Sequence, residues 1–276
     1  MGLEGRVAIV TGASRGIGKG IATELGRAGA TVVVTGRTTT PGGHRLGGTI
    51  GETARLVDDA GGVGVARRVD HSDDAQVRDL VAGVVEEFGR IDILVNNVFA
   101  VPEPGTPDEQ IFGPFWQTPI WAWDTMLDVG LRSHFVASWF VAPHMVTARS
   151  GLIVNISSLG AREFFGSVAY CVGKTGVDRM AETMAIDLRA HEVAALALYP
   201  GTARTERMLE AARLSDEAFD LSDAQSPELT GRAVTALASD PNVMQRSGRA
   251  HAVANLARDY GFTEDDGSMP PPVELG

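Results

Sequence analysis

Tyr170 and Lys174 stand four residues apart in Tyr170-Cys171-Val172-Gly173-Lys174. On a helix that spacing puts a phenol and an ammonium on one face. A free tyrosine titrates near ~10 and is a poor base at neutral pH. One positive charge about 5 Å away, at an effective dielectric of roughly 20, stabilises the phenolate by about 3 kcal/mol. That corresponds to about two pKa units, enough to bring the phenol into range for proton transfer. The same pair, taken alone, also suits a solvated helix surface.

A second set of residues suits an anion. Thr11-Gly12-Ala13-Ser14-Arg15-Gly16-Ile17-Gly18 follows a short apolar run and precedes a helical pattern. Glycines there let the backbone turn sharply and approach a pyrophosphate at the positive end of a helix. Ala13 through Lys19 nearly spells a triphosphate-binding loop, but the residue after Lys19 must then be Ser or Thr to hold magnesium, and it is Gly20. A third set, Ser157 and Ser158, closes the apolar run Leu152-Ile153-Val154-Asn155-Ile156. In a parallel sheet the strand carboxyl ends line the ligand crevice, so these hydroxyls face the same side as the glycine loop, although serines at a strand end also cap turns.

The elements that position these residues alternate along the chain. Arg6–Thr11 and the β-branched Thr31–Thr35 read as buried strands. Ile17, Ile21, Leu25 and Ala28 mark one face of the helix between them, with Gly29 past its end. A helix near Glu52–Ala60 precedes a strand at Val63–Val69, and one at Asp73–Phe88 precedes a strand at Ile91–Val95. A long helix over Trp123–Ala148 leads to Leu152–Ile156, and one over Val168–Ala190 leads to Val193–Leu198. Such alternation predicts an α/β fold, a doubly wound parallel sheet with helices on both faces. Two long loops interrupt it: Thr38–Thr49, and the proline-rich Val98–Ile120 with Phe99, Phe112, Phe115 and Trp116. Loops this long are usually lids, binding loops or disordered segments. Met269-Pro270-Pro271-Pro272 reads as a poorly ordered tail.

Composition narrows the class. The chain has 276 residues, 44% hydrophobic and 21% charged, enough to bury a core without staples. Its net charge of −11, with no basic stripe, argues against nucleic-acid binding. The single Cys171 excludes an internal disulfide and suits a cytoplasmic location, no apolar run reaches membrane-spanning length, and the start lacks the pattern of a signal peptide. Six histidines without ligand spacing predict no metal.

Thr11 to Gly18, Asn96-Asn97, Ser158, Tyr170-x-x-x-Lys174 and Pro200-Gly201 follow one another in an order that resembles the short-chain dehydrogenase/reductase family. The resemblance spans nearly the whole chain. Phe115-Trp116-Gln117-Thr118-Pro119, Val129-Gly130-Leu131-Arg132 and Ala257-Arg258-Asp259-Tyr260-Gly261 add to it. It implies one Rossmann-fold domain over 1–276, with an extended loop at about 98–120 and a tail at about 262–276. It implies Tyr170 as general acid or base, Lys174 lowering its pKa and holding the nicotinamide ribose, and Ser158 bonding the substrate oxygen. On the cofactor it implies Gly12, Ser14, Arg15, Gly16, Ile17 and Gly18 at the glycine loop, and Arg37 and Thr38 after the second strand. Asp70 and His71 fall at the adenine, Asn97 along the adenosine ribose, and Pro200, Gly201, Thr202 and Thr205 beside the nicotinamide. A homodimer or homotetramer paired through the helices of Trp139 and Met180 is implied as well.

Two features depart from the family pattern. Val98-Phe99 stands where Ala-Gly is usual, and Gly130 stands where an asparagine commonly holds a relay water; His134, one turn on, is a candidate to replace it or a packed residue.

The cofactor expected is NADP(H) rather than NAD(H). The second strand runs into Gly36-Arg37, and no Asp or Glu for a ribose 2′-hydroxyl occurs between Thr31 and Gly51. A guanidinium there matches a phosphate instead, with Arg15 within reach. The expected activity is interconversion of a carbonyl and a secondary alcohol on a small, apolar molecule. The alternative is a dinucleotide-binding sensor or scaffold with little turnover, for which the two departures speak.

Overall fold

Alternate residues of the first strand, β1 (Val7–Val10), enter opposite cores: Ala8 and Val10 one, Val7 and Ile9 the other. A strand covered on both faces must be apolar throughout, which is why this run reads as continuous. The computed structural model describes residues 2–100, 113–214 and 220–275. It contains a seven-stranded, all-parallel sheet in the order β3-β2-β1-β4-β5-β6-β7. The other strands are β2 (Thr31–Gly36), β3 (Val63–Arg68), β4 (Ile93–Asn96), β5 (Gly151–Ile156), β6 (Val193–Tyr199) and β7 (Ala250–Ala252). The chain order reverses between β1 and β4, and the crevice at such a switch point is where open α/β sheets take ligands.

One core is covered by α1 (Gly16–Arg27), α2 (Ile50–Asp59), α8 (Pro227–Ser239) and α9 (Val253–Tyr260), the other by α3 (Asp74–Phe88), α5 (Ser133–Ala148) and α6 (Val168–Leu188). Gly20 lets α1 and α8 touch: a Cβ there would stand 2.4 Å from the Pro227 carbonyl carbon. The residue that excludes a magnesium-binding hydroxyl thus has a packing role.

The long helix expected over Trp123–Ala148 is interrupted. It begins as α4 (Ile120–Leu127), passes through a π-helical turn at Asp128–Arg132, and continues as α5. The tail also departs from expectation. Asn255 donates to the Val273 carbonyl at 2.8 Å and accepts from the Val273 N–H at 2.9 Å, and Arg258 donates to the Pro270 carbonyl at 2.6 Å. One side-chain amide thereby pairs the tail's backbone as a neighbouring strand would. Of the loop expected over 98–120, residues 101–112, Phe112 among them, lie outside the described residues.

Candidate active site

The turn from β1 into α1 is built to expose backbone N–H groups. Gly16 adopts φ +58, a left-handed conformation costly for other residues. Gly18 lies against the clamp that fixes the turn: a Cβ there would meet Asn97 Nδ2 at 2.5 Å. That amide donates to the carbonyls of Thr11 at 2.8 Å and Gly12 at 3.0 Å. Thr11 Oγ1 in turn accepts from the backbone N–H groups of Asn97 and Val98, at 2.9 and 3.0 Å. β4 and the glycine turn are therefore one rigid unit.

A cleft of about 280 Å³ opens beside this turn. It is lined by Gly12, Ser14, Arg15, Gly16, Ile17 and Gly18, by Arg37 and Thr38, by Asp70 and His71, and by Asn97 and Thr205. Arg15 binds the loop after β2, donating to the carbonyls of Gly47 at 2.8 Å and Gly48 at 3.3 Å and to Thr38 Oγ1 at 3.1 Å. Arg37 projects from the rim, its guanidinium 3.9 Å from Asp70. Burial raises the Asp70 carboxyl, but hydrogen bonds from Ser72 outweigh it and, with the Arg37 charge, hold the group below its usual range. His71 is buried against Thr35 Oγ1 at 2.8 Å, and burial pushes it down to about 4.

Pro200, Gly201 and Thr202 follow β6 and are pinned by Gln225. The Gln225 side-chain oxygen accepts from the Gly201 N–H at 3.3 Å, and the Gln225 backbone N–H donates to the Thr202 carbonyl at 2.7 Å. Beyond them, α7 (Glu206–Leu214) brings an unanticipated carboxylate to the glycine turn. Glu206 accepts from the Gly16 N–H at 2.8 Å and pairs with Lys19 Nζ at 2.5 Å. Burial raises this acid, and the Lys19 pairing overcomes that to hold it low. Glu210 of the same helix pairs with Arg45 in the loop after β2. No local pattern in the sequence marks these contacts, which join residues 165 and 190 positions apart.

Ser158, Tyr170 and Lys174 converge at the carboxyl end of β5. The Tyr170 hydroxyl donates to Ser158 Oγ at 2.9 Å, and the Gly160 N–H donates to the same oxygen at 3.1 Å. Lys174 is buried, its Nζ donating to the Ile156 carbonyl at 3.0 Å and lying 5.7 Å from the Tyr170 ring centroid. The electrostatics differ from what the spacing alone predicts. Burial pushes the Tyr170 phenol up, against a smaller lowering from its bond to Ser158. The ammonium sits beside the ring, and is itself pushed down by burial to about 8, against the opposing Asp178 charge. Asp178, one turn further along α6, accepts from Tyr199; its four-residue spacing from Lys174 is the local signal that could have found it.

The two departures from the family pattern meet. Phe99 stands edge-on to Tyr170, with ring centroids 5.6 Å apart, and lies against Gly130, where a Cβ would be 2.5 Å from its Cδ2. His134 is packed: Nε2 meets the Val98 carbonyl at 3.0 Å, and burial, with the Lys174 charge, drives the imidazole down to about 3. Phe165 also borders Tyr170, at 5.7 Å between centroids. Phe115 and Trp116 are exposed and stack edge-to-face on each other. Among the described residues, no group of three or more His, Cys, Asp or Glu is placed to hold a metal ion.

Comparisons with known proteins bear on the fold and the family. The family model for short chain dehydrogenases matches residues 6–215. The chain is 40% identical to dehydrogenase/reductase SDR family member 1 of Mus musculus, across 96% of this chain and 85% of that protein. The Homo sapiens protein of the same name is 39% identical with the same coverage. Among solved structures, one of a putative dehydrogenase from Xanthomonas campestris superposes with a TM-score of 0.81 at 28% identity, covering 100% of this chain and 99% of that one. A metagenomic short-chain oxidoreductase in complex with NADP superposes with a TM-score of 0.71 at 30% identity, covering 91% of this chain and 96% of that one.

Proposed function

The chain belongs to the short-chain dehydrogenase family, and from that premise we propose that it is an NADP(H)-dependent oxidoreductase interconverting a carbonyl and a secondary alcohol, with Tyr170 as general acid and base. The observation that carries this reading is the Tyr170–Ser158 hydrogen bond at 2.9 Å, with the Lys174 ammonium packed beside the phenol.

A dinucleotide fits the cleft on physical grounds. The Gly16 N–H already donates to a carboxylate at the N-terminus of α1, so that position accepts an anion. Gly12, Ser14, Gly16, Ile17 and Gly18 would receive the pyrophosphate. Arg37 and Thr38 would take a 2′-phosphate, and Arg15 would hold the loop beside them through Thr38, Gly47 and Gly48. Asp70, His71 and Asn97 would border the adenosine. Lys174 would hold the nicotinamide ribose, and Pro200, Gly201, Thr202 and Thr205 would flank the nicotinamide. When bound, that ring supplies or takes up the hydride.

The proton belongs to the protein. In reduction, the neutral Tyr170, whose phenol burial pushes up, gives its hydroxyl proton to the substrate oxygen and is left as a phenolate that regains a proton from solvent; in oxidation the phenolate takes the proton of the substrate hydroxyl. Ser158 Oγ accepts from both Tyr170 and Gly160, which leaves its own hydrogen to donate to the substrate oxygen. Lys174 fixes the charge beside the phenol.

Phe165 at Tyr170, and the exposed Phe115 and Trp116, support an apolar carbonyl compound as substrate. Exposed Phe135 and Trp139 on α5, with Val172 and Ile186 on α6, support a homodimer or homotetramer paired through those helices. No helix among the described residues is long and apolar enough to cross a membrane; the cytoplasmic location we propose rests on the single Cys171, which suits a reducing compartment. The packing of Phe99 against Gly130 makes the two departures complementary, which favours the enzyme over a sensor or scaffold. Single-turnover hydride transfer from NADPH to a panel of ketones tests the proposal. Cofactor binding without transfer to any ketone overturns it in favour of a binding protein.

A further inference from the structure

Lys174 carries three N–H donors, and among the described residues one hydrogen-bond acceptor, the Ile156 carbonyl at 3.0 Å, meets them. Two aromatic rings also lie close to this buried ammonium. Nζ lies 4.8 Å from the centroid of Phe99 and 5.7 Å from that of Tyr170. A cation over an aromatic face is attracted by the ring quadrupole, and the attraction grows as water is excluded. Phe99 also stands perpendicular to Tyr170, at an interplanar angle of 89°. One ring therefore touches both members of the proposed proton-transfer pair.

The position of that ring is set from three sides. Thr11 Oγ1 accepts the Val98 N–H at 3.0 Å, and His134 Nε2 holds the Val98 carbonyl at 3.0 Å. With an oxygen as partner, that nitrogen carries the hydrogen. The third side is Gly130. A Cβ at 130 would stand 2.5 Å from Phe99 Cδ2 and 2.6 Å from Cε2, so the ring keeps its place because position 130 has no side chain.

We infer that Phe99, seated on Gly130, is a positioning residue that holds the Lys174 ammonium against Tyr170 through its aromatic face. The inference rests on the proposed roles of Tyr170 and Lys174. The titratable and charged groups around Lys174 are few. On α6 they are Tyr170 and Asp178; α5 contributes His134, and β6 contributes Tyr199, which binds Asp178 and is approached by Arg162. His134 is neutral across the working range, so Asp178, whose hydrogen-bond partner is Tyr199, is the charge that opposes the effect of burial.

The chain has two lysines, Lys19 and Lys174. Carbon-13 NMR of protein labelled at the lysine Cε therefore gives two signals, assigned with Lys19→Arg, and follows Lys174 without need of turnover. Phe99→Leu keeps an apolar side chain but removes the aromatic face. The Lys174 midpoint is expected to fall by about half a pH unit or more, with Lys19 unmoved. Gly130→Ala, which pushes on the ring, is expected to move the Lys174 midpoint in the same direction, and to add little in the Phe99→Leu background. A Lys174 midpoint that stays put, or rises, in folded Phe99→Leu overturns the inference. Where a ketone is turned over with NADPH, the alkaline limb of kcat/KM is expected to follow the same shifts. Persistent turnover in Tyr170→Phe would reject the catalytic reading instead, and leave the Lys174 titration to decide the role of Phe99 by itself.

Discussion

The Glu206 carboxylate accepts a hydrogen bond from the Gly16 N–H at 2.8 Å, on the helix end where the proposed pyrophosphate would sit. A carboxylate and a phosphate cannot share one donor, and two anions this close repel. The Lys19 pair keeps Glu206 charged, and the Arg45–Glu210 pair ties the same helix to the loop after β2. A dinucleotide seated as proposed would therefore have to displace Glu206 from the Gly16 N–H.

Glu206→Ala, which removes the competing acceptor as well as the charge, is accordingly expected to tighten NADPH binding. Removing about 1 kcal/mol of competition corresponds to roughly a fivefold lower Kd. Titration of the bound nicotinamide fluorescence measures it. Unchanged or weaker binding would show that the carboxylate does not compete for this donor.

Tyr170→Phe removes the proposed proton donor while keeping the ring that packs against Phe99 and Phe165. Turnover is expected to fall about 10²–10⁴-fold, with the cofactor Kd within about threefold of the parent. Steady-state rates and a cofactor titration on the same preparation check both halves. Turnover that survives would remove Tyr170 from its role.

Much of this architecture is legible in the residues, for identifiable reasons. Apart from β3, whose Val63–Arg68 run ends in two arginines, strands β1 to β6 are mainly apolar or β-branched runs, and the alternation with helices forces a parallel sheet. β7 is three residues at the sheet edge, Ala250-His251-Ala252, too short to carry a period. The π-helical turn at Asp128–Arg132 lies within the stretch that reads as one long helix, and no proline marks it. At the site, Ser158, Tyr170 and Lys174 are readable because their order and spacing are local signals. Glu206 is not, since its partner Gly16 is 190 residues away and both belong to ordinary-looking segments. Phe99 and Gly130 each look like a defect in one dimension, and only the fold makes them complementary.

Acid stability should follow two buried histidines. In the folded chain His71 is pushed down to about 4 and His134 to about 3, while both titrate near 6.5 when unfolded. A lowered histidine pKa means that the unfolded chain binds more protons, so stability is complete above about 6.5 and drains as pH falls toward the folded values. Between pH 6 and 5 the two together should cost about 2 kcal/mol. Urea unfolding at stepped pH measures the slope. His134→Gln, which can still donate to Val98, should roughly halve it; an unaltered slope would assign the acid sensitivity to other groups.

Cofactor choice can be separated between the two arginines at the cleft. Arg15 spends donors on the Gly47 and Gly48 carbonyls and on Thr38, so Arg15→Ala should loosen the loop after β2 and weaken NADPH and NADH alike. Arg37 has an exposed side chain and a longer contact, 3.9 Å, to Asp70, which leaves its guanidinium available to a 2′-phosphate. A charge-assisted bond is worth about 1.5–3 kcal/mol, and exposure reduces that to about 1–2 through screening. Arg37→Asp should therefore weaken NADPH by roughly 5–30-fold and leave NADH within about threefold. Because the contribution is screened, the parent's preference for NADPH should also shrink as salt is raised from low to physiological strength. Equal affinities for the two cofactors in the parent, or equal losses in Arg37→Asp, would overturn the assignment of NADP(H).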